Sequence, residues 1–161
     1  MQGVPMTTTN FLNSLMSNGV YHFTTTDYIE QTGKSKTAAW ASIRRAGEKG
    51  SVATPYRGFH VIVPPEYKSL GCLPADQFVP QLMNFLAEPY YVGLLSAASY
   101  FGASHHAPQE FQVVIPKNRP SIHVGKIRIV FVAKKDLSST PTTQLNTKTG
   151  TILVSTVEAT A

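Results

Sequence analysis

The chain has 161 residues, which makes one large domain or two small ones at the usual size of roughly 100–200 residues. Apolar residues make up 42% and charged residues 14%, which excludes a disordered chain and leaves enough to bury a core. Fourteen Lys and Arg against nine Asp and Glu leave +5, a balance that suits a polyanionic partner.

In chain order, residues 9–16 place Phe11, Leu12, Leu15 and Met16 on one side of a short amphipathic helix that closes near Gly19. Thr24-Thr25-Thr26 supplies an N-cap for a second helix over residues 27–31, and Gly33 a left-handed stop. Lys34 or Ser35 opens a third helix that runs to Lys49, just ahead of Gly50. At 100° per residue, Ala39, Ile43 and Ala46 form its buried stripe. Thr37, Ala41, Arg44, Arg45 and Glu48 face the other way, with Lys36 and Trp40 on the flank. Two short strand patterns follow, residues 51–54 and 59–63, joined through Pro55-Tyr56-Arg57-Gly58 as a tight turn. Pro64 and Pro65 end the second strand, because neither donates a backbone hydrogen bond. The chain divides there, into residues 8–65 and 66–161.

Charge is concentrated in the first part. Residues 34–57 hold six bases (Lys34, Lys36, Arg44, Arg45, Lys49 and Arg57) and one acid, Glu48. Helix, glycine turn, basic helix and a hairpin tipped by Arg57 is the order of a winged helix-turn-helix. Such a helix fits the major groove of double-stranded DNA, where its N-terminal side chains reach base edges and flanking bases neutralise phosphates. The candidate DNA-binding set is Lys34, Ser35, Lys36, Thr37, Trp40, Ala41, Arg44, Arg45, Lys49, Tyr56 and Arg57. Trp40 is expected to pack against the hairpin, with its indole N–H in need of a partner. Winged helices also serve as protein-interaction modules, and a basic helix face is often only solvated, so that alternative stands beside DNA binding.

In the second part, residues 76–88 carry Phe78, Leu82, Phe85 and Leu86 at helical spacing, with Pro80 tolerated in the first turn. Another helix is expected over residues 90–101, rich in small side chains. Strands are expected at residues 111–115, 122–124 and 126–132, the last two turning at Gly125, and at 151–155. The Ser-, Thr- and Asn-rich residues 136–150 read as a long loop. The fold class is therefore α+β: a winged helix-turn-helix followed by a small α/β domain with a mixed or antiparallel sheet. A second basic block, residues 117–135, holds six bases and no acid. Lys117, Arg119, Lys126 and Arg128 are expected to form a basic strip in one sheet, suited to DNA bending, RNA or an acidic partner.

The second part also carries a family resemblance. The segments Tyr90-Tyr91-Val92-Gly93-Leu94-Leu95-Ser96-Ala97-Ala98 and Ser104-His105-His106-Ala107-Pro108-Gln109-Glu110-Phe111-Gln112-Val113-Val114 resemble the AbiEi family, antitoxins of type IV abortive-infection toxin–antitoxin modules. Gly125-Lys126-Ile127-Arg128-Ile129 and residues 155–161 fit the same pattern, with His106 where Gln is expected. Gly58-Phe59-His60-Val61-Ile62-Val63-Pro64 is similar to the end of that family's winged helix. The resemblance implies a transcriptional autorepressor that binds operator inverted repeats in DNA. It also implies a nucleotidyltransferase-like toxin that is counteracted without a stable complex. The family usually continues into a helical segment, so the chain is expected to be C-terminally incomplete.

Enzymatic readings are weaker. His105-His106 with Glu110 matches no zinc spacing, and no metal or cofactor is expected. Cys72 is the sole cysteine, which excludes a disulfide framework, and it reads as a buried neutral thiol rather than a nucleophile. Asp76, Glu88 and Asp136 make no acid/base pair, and no glycine-rich loop cradles a phosphate. The expectation is no enzyme, leaving a nuclease accessory domain as a distant third reading. The longest apolar runs fall far below the roughly 18 residues that span a bilayer, and residues 1–10 lack a signal-peptide order. The expected location is the cytoplasm, with no membrane partner.

Overall fold

The computed structural model describes residues 6–93 and 109–156. Helix α1 (Thr8–Ser17) opens on Thr7, whose hydroxyl accepts the Asn10 amide, and buries Phe11 and Leu12. Helix α2 (Thr25–Thr32) starts on a capping box in which Thr24 and Asp27 each accept the other's amide at 3.0 Å. Gly33, left-handed at φ 71°, stops it. Helix α3 (Lys36–Glu48) begins on Ser35 and buries Ala39, Ile43 and Ala46, as the stripe predicts, together with Ser42.

Strands β1 (His22–Thr24), β2 (Val52–Tyr56) and β3 (Phe59–Ile62) form an antiparallel sheet in the order β1-β3-β2. Three helices on this sheet have the winged-helix arrangement. β1 was not expected, because three residues are too few for alternation to register. The hairpin turn is also tighter than the sequence reading, with Arg57 and Gly58 alone between the strands and Gly58 at φ 82°. Pro55 and Tyr56 belong to β2, where the register shifts between Ala53 and Tyr56. A bulge of this kind accommodates a proline that cannot donate to the ladder.

The second sheet has six strands: β4 (Tyr91–Val92), β5 (Gln109–Ile115), β6 (Ile122–Val124), β7 (Ile127–Ala133), β8 (Thr142–Thr147) and β9 (Gly150–Ser155). Their order is β6-β7-β5-β4-β9-β8, with β5–β7 and β4–β9 parallel and the other pairs antiparallel. The protein is thus α+β with a mixed sheet, as expected.

Three local expectations need correction. Tyr91 and Val92 are a strand between Val113–Val114 and Val154, not the start of a helix, while residues 94–101 lie outside the described residues. The helix over 76–88 shrinks to α4 (Val79–Phe85) behind a 3₁₀ turn at Ala75–Gln77, and Phe85 is 41% exposed. Pro80 sets that late start, since proline is tolerated only in a helix's first turn. Within 136–150, β8 pairs along its length with β9. It looked like loop because an exposed edge strand has few apolar positions to show.

All four residues of β3 are buried, because its two faces enter different cores. Phe59 and Val61 join Leu70, Leu73, Phe78, Leu82, Phe111, Ile129 and Val154. Ile62 points the other way, to Phe11, Phe23, Tyr28 and Ile43. The face of this sheet carrying Phe59 and Val61 is covered by the second half of the chain. One continuous core therefore crosses Pro64 and Pro65.

Candidate nucleic-acid interface

Helix α3 and the β2–β3 hairpin enclose a groove of about 980 Å³. Lys36, Thr37, Trp40, Ala41 and Arg44 line it from the helix, and Thr54, Arg57 and Gly58 from the hairpin. Gly71 and Val124 bring the second half of the chain to the same groove. Lys36, Trp40 and Arg44 are four residues apart, so they stack along one side of α3 over about 12 Å. Trp40 stands on the groove wall, on the exposed flank as expected, 48% exposed and lining the same groove as the hairpin residues Thr54 and Arg57.

The other candidates take different positions. Ser35 spends its hydroxyl on the Ala38 amide as N-cap, and Lys34 donates from Nζ to Tyr28 Oη at 3.0 Å and Ser42 Oγ at 2.9 Å. Both hold the α2–α3 turn together. Arg45 reaches Ser42 Oγ at 3.3 Å, Lys49 is the exposed C-cap of α3, and neither lines the groove. Tyr56 stands edge-on to Phe85, with ring centroids 6.4 Å apart.

The second basic strip is not one strip. Lys117 and Arg119 follow the end of β5 and converge on Glu88, at 3.4 and 3.8 Å. Arg128 on β7 pairs with its cross-strand partner Glu110 on β5 at 2.6 Å. Sequence counting found no acid in this block because both acids lie outside it and come back through the fold.

One groove residue escaped the sequence reading. His60 is buried on β3, and its Nε2 and Nδ1 each lie 2.8 Å from a threonine hydroxyl, Thr25 and Thr54 respectively. Burial lowers its pKa to about 4, so the ring is neutral at pH 7. Nothing in the apolar run Phe59–Ile62 marks it; the signal is a pairing across the hairpin. Cys72 is fully buried, and burial pushes its thiol up to about 12, far from a nucleophile's range. His105 and His106 lie outside the described residues. Among the described residues no three His, Cys, Asp or Glu cluster as metal ligands.

A family model described as the AbiEi antitoxin C-terminal domain matches residues 91–161. Over that stretch the chain is similar to the AbiEi antitoxin family. The AbiEi match begins on the first residue of β4 and takes in all six strands of the second sheet. The match supports an antitoxin role in a toxin–antitoxin pair. No curated protein matches the chain. Among the described residues no helix is long and apolar enough to cross a membrane.

Proposed function

We propose that this chain is both antitoxin and transcriptional autorepressor, binding inverted repeats in the operator of its own toxin–antitoxin operon. Residues 8–65 take the DNA-binding work and residues 66–161 the antitoxin work. The latter acts on a nucleotidyltransferase-like toxin without requiring a stable complex, in the cytoplasm.

The observation that carries this reading is the exposed stripe Lys36, Trp40 and Arg44 facing Arg57 across one groove. A helix enters the major groove and presents its N-terminal half to base edges, which is where Thr37 and Ala41 lie. Cations on the helix and on the hairpin tip then reach phosphates on either side. Arg45 and Lys49, exposed off the groove, extend the positive face.

The test is a titration with duplex DNA from upstream of the chain's own reading frame, against a scrambled duplex, over a range of salt. Preference for the upstream duplex and an affinity that falls steeply with salt are expected, because phosphate contacts release counterions. Equal affinity for both duplexes, or none for either, overturns the reading.

A further inference from the structure

His60 joins three elements at the groove. It sits on β3, only 6% exposed, with Nε2 on Thr25 Oγ from the first turn of α2 and Nδ1 on Thr54 Oγ from β2. All three residues line the groove that holds Lys36 and Arg57. A neutral imidazole has one N–H and one bare nitrogen. One threonine must therefore donate its hydroxyl proton into the ring, while the other accepts the ring N–H and keeps its own proton.

The surroundings favour one of these two arrangements. Thr25 is half-buried, and its backbone amide is tied to the Gly58 carbonyl at 3.1 Å. Thr54 is exposed. An exposed hydroxyl is free to donate outward only if it accepts from the ring, and that arrangement would place the ring hydrogen on Nδ1.

We propose that Thr54 is a phosphate-binding residue of this groove, and that His60 is the positioning residue that turns its hydroxyl outward. The proposal rests on the operator-binding reading and names one contact within it. A hydroxyl that already accepts a hydrogen bond is polarised into a better donor, and its charged neighbours in the groove are Lys36, Arg44, Arg57 and the single acid Glu48. The matching acceptor is an anionic oxygen of the DNA backbone. The helix end itself is not the seat, because the Thr24–Asp27 capping box already occupies it.

Two measurements test this. The first is binding of the upstream duplex by the parent chain, Thr54→Val, Thr54→Ser and Arg57→Ala over a range of salt. Loss of a hydrogen bond to a charged group predicts that Thr54→Val binds roughly tenfold more weakly at every salt concentration. Its salt slope stays that of the parent, because a neutral hydroxyl displaces no counterion. Thr54→Ser keeps the parent's affinity to within about twofold, since it keeps the hydroxyl. Parent-like binding by Thr54→Val overturns the proposal. So does a slope that falls with the affinity as in Arg57→Ala, which marks a displaced hairpin rather than a lost hydroxyl. A parent chain that binds no duplex overturns the operator reading and this contact with it. The second measurement needs no DNA: nitrogen shifts of the His60 ring should show the Nδ1–H tautomer, and the Nε2–H tautomer overturns the assignment.

Discussion

Gly125 in the β6–β7 turn rests directly on Gly71, and Gly125 has no room for a side chain. A Cβ on Gly125 would stand 2.4 Å from the Leu70 carbonyl oxygen and 2.7 Å from the Gly71 carbonyl carbon. Both glycines have positive φ, 75° at Gly71 and 56° at Gly125, and the Lys126 amide donates to the Leu70 carbonyl at 2.8 Å. This contact seats the edge of the six-stranded sheet on the segment that follows Pro64 and Pro65. It also brings Gly71 and Val124 to the groove beside α3.

Gly125→Ala should therefore destabilise the protein by roughly 3 kcal/mol or more, combining backbone strain with a clash against backbone that cannot move aside. Gly33 shares the left-handed backbone but opens on free space, so Gly33→Ala should cost only about 1–2 kcal/mol. Urea unfolding of both variants checks the order. Equal costs would mean that the Gly71–Gly125 contact yields easily.

Arg44→Ala should weaken binding of the upstream duplex and flatten its preference over scrambled DNA, since an arginine–guanine contact carries about 1–3 kcal/mol of discrimination. Lys49→Ala and Arg57→Ala should weaken both duplexes together and shallow the salt slope by about one unit per lost contact. None of these side chains is buried, so melting temperatures should stay close to the parent's.

Replacing Lys126 and Arg128 with alanine should leave the fold intact, within about 0.5 kcal/mol by urea unfolding, because Lys126 is exposed and the Arg128–Glu110 pair is half-exposed. Reduced operator affinity or reduced protection from toxin would show that this surface works. No change in either would leave it a solvated face.

His60 makes stability depend on pH. Its folded pKa, about 4, lies below the ordinary 6.5, so between these values the unfolded chain binds a proton that the native chain refuses. Stability should fall as pH drops from about 6.5 towards 4, by about 2 kcal/mol from this residue. His22, whose pKa burial also lowers although the Asp27 charge works to raise it, should add to the fall. Unfolding at pH 7 and pH 4.5 measures the slope, and His60→Gln should reduce it relative to the parent.

Cys72 should resist a thiol-alkylating reagent in the folded protein and react once urea unfolds it, because its thiol is buried and stays protonated. Labelling at the same rate in both states would place it at the surface.

What the sequence by itself determined is local. Capping threonines and serines, the left-handed stop at Gly33 and the spacing of Ala39, Ile43 and Ala46 set α1 to α3 within a residue or two, because each signal acts over one helical turn. The strand pattern over residues 126–132 and the turn at Gly125 likewise marked β7. Phrases in the second half carried the AbiEi resemblance. Tertiary structure decided what depends on residues far apart in the chain. Two-residue β4 is a strand only because β5 and β9 flank it, and polar β8 only because β9 pairs with it. Glu88 and Glu110 reach the second basic block through the fold, and His60 meets Thr25 across 35 residues. Charge cancellation and hydrogen-bond pairing act through space, over a few ångströms, and no spacing along the chain records that distance.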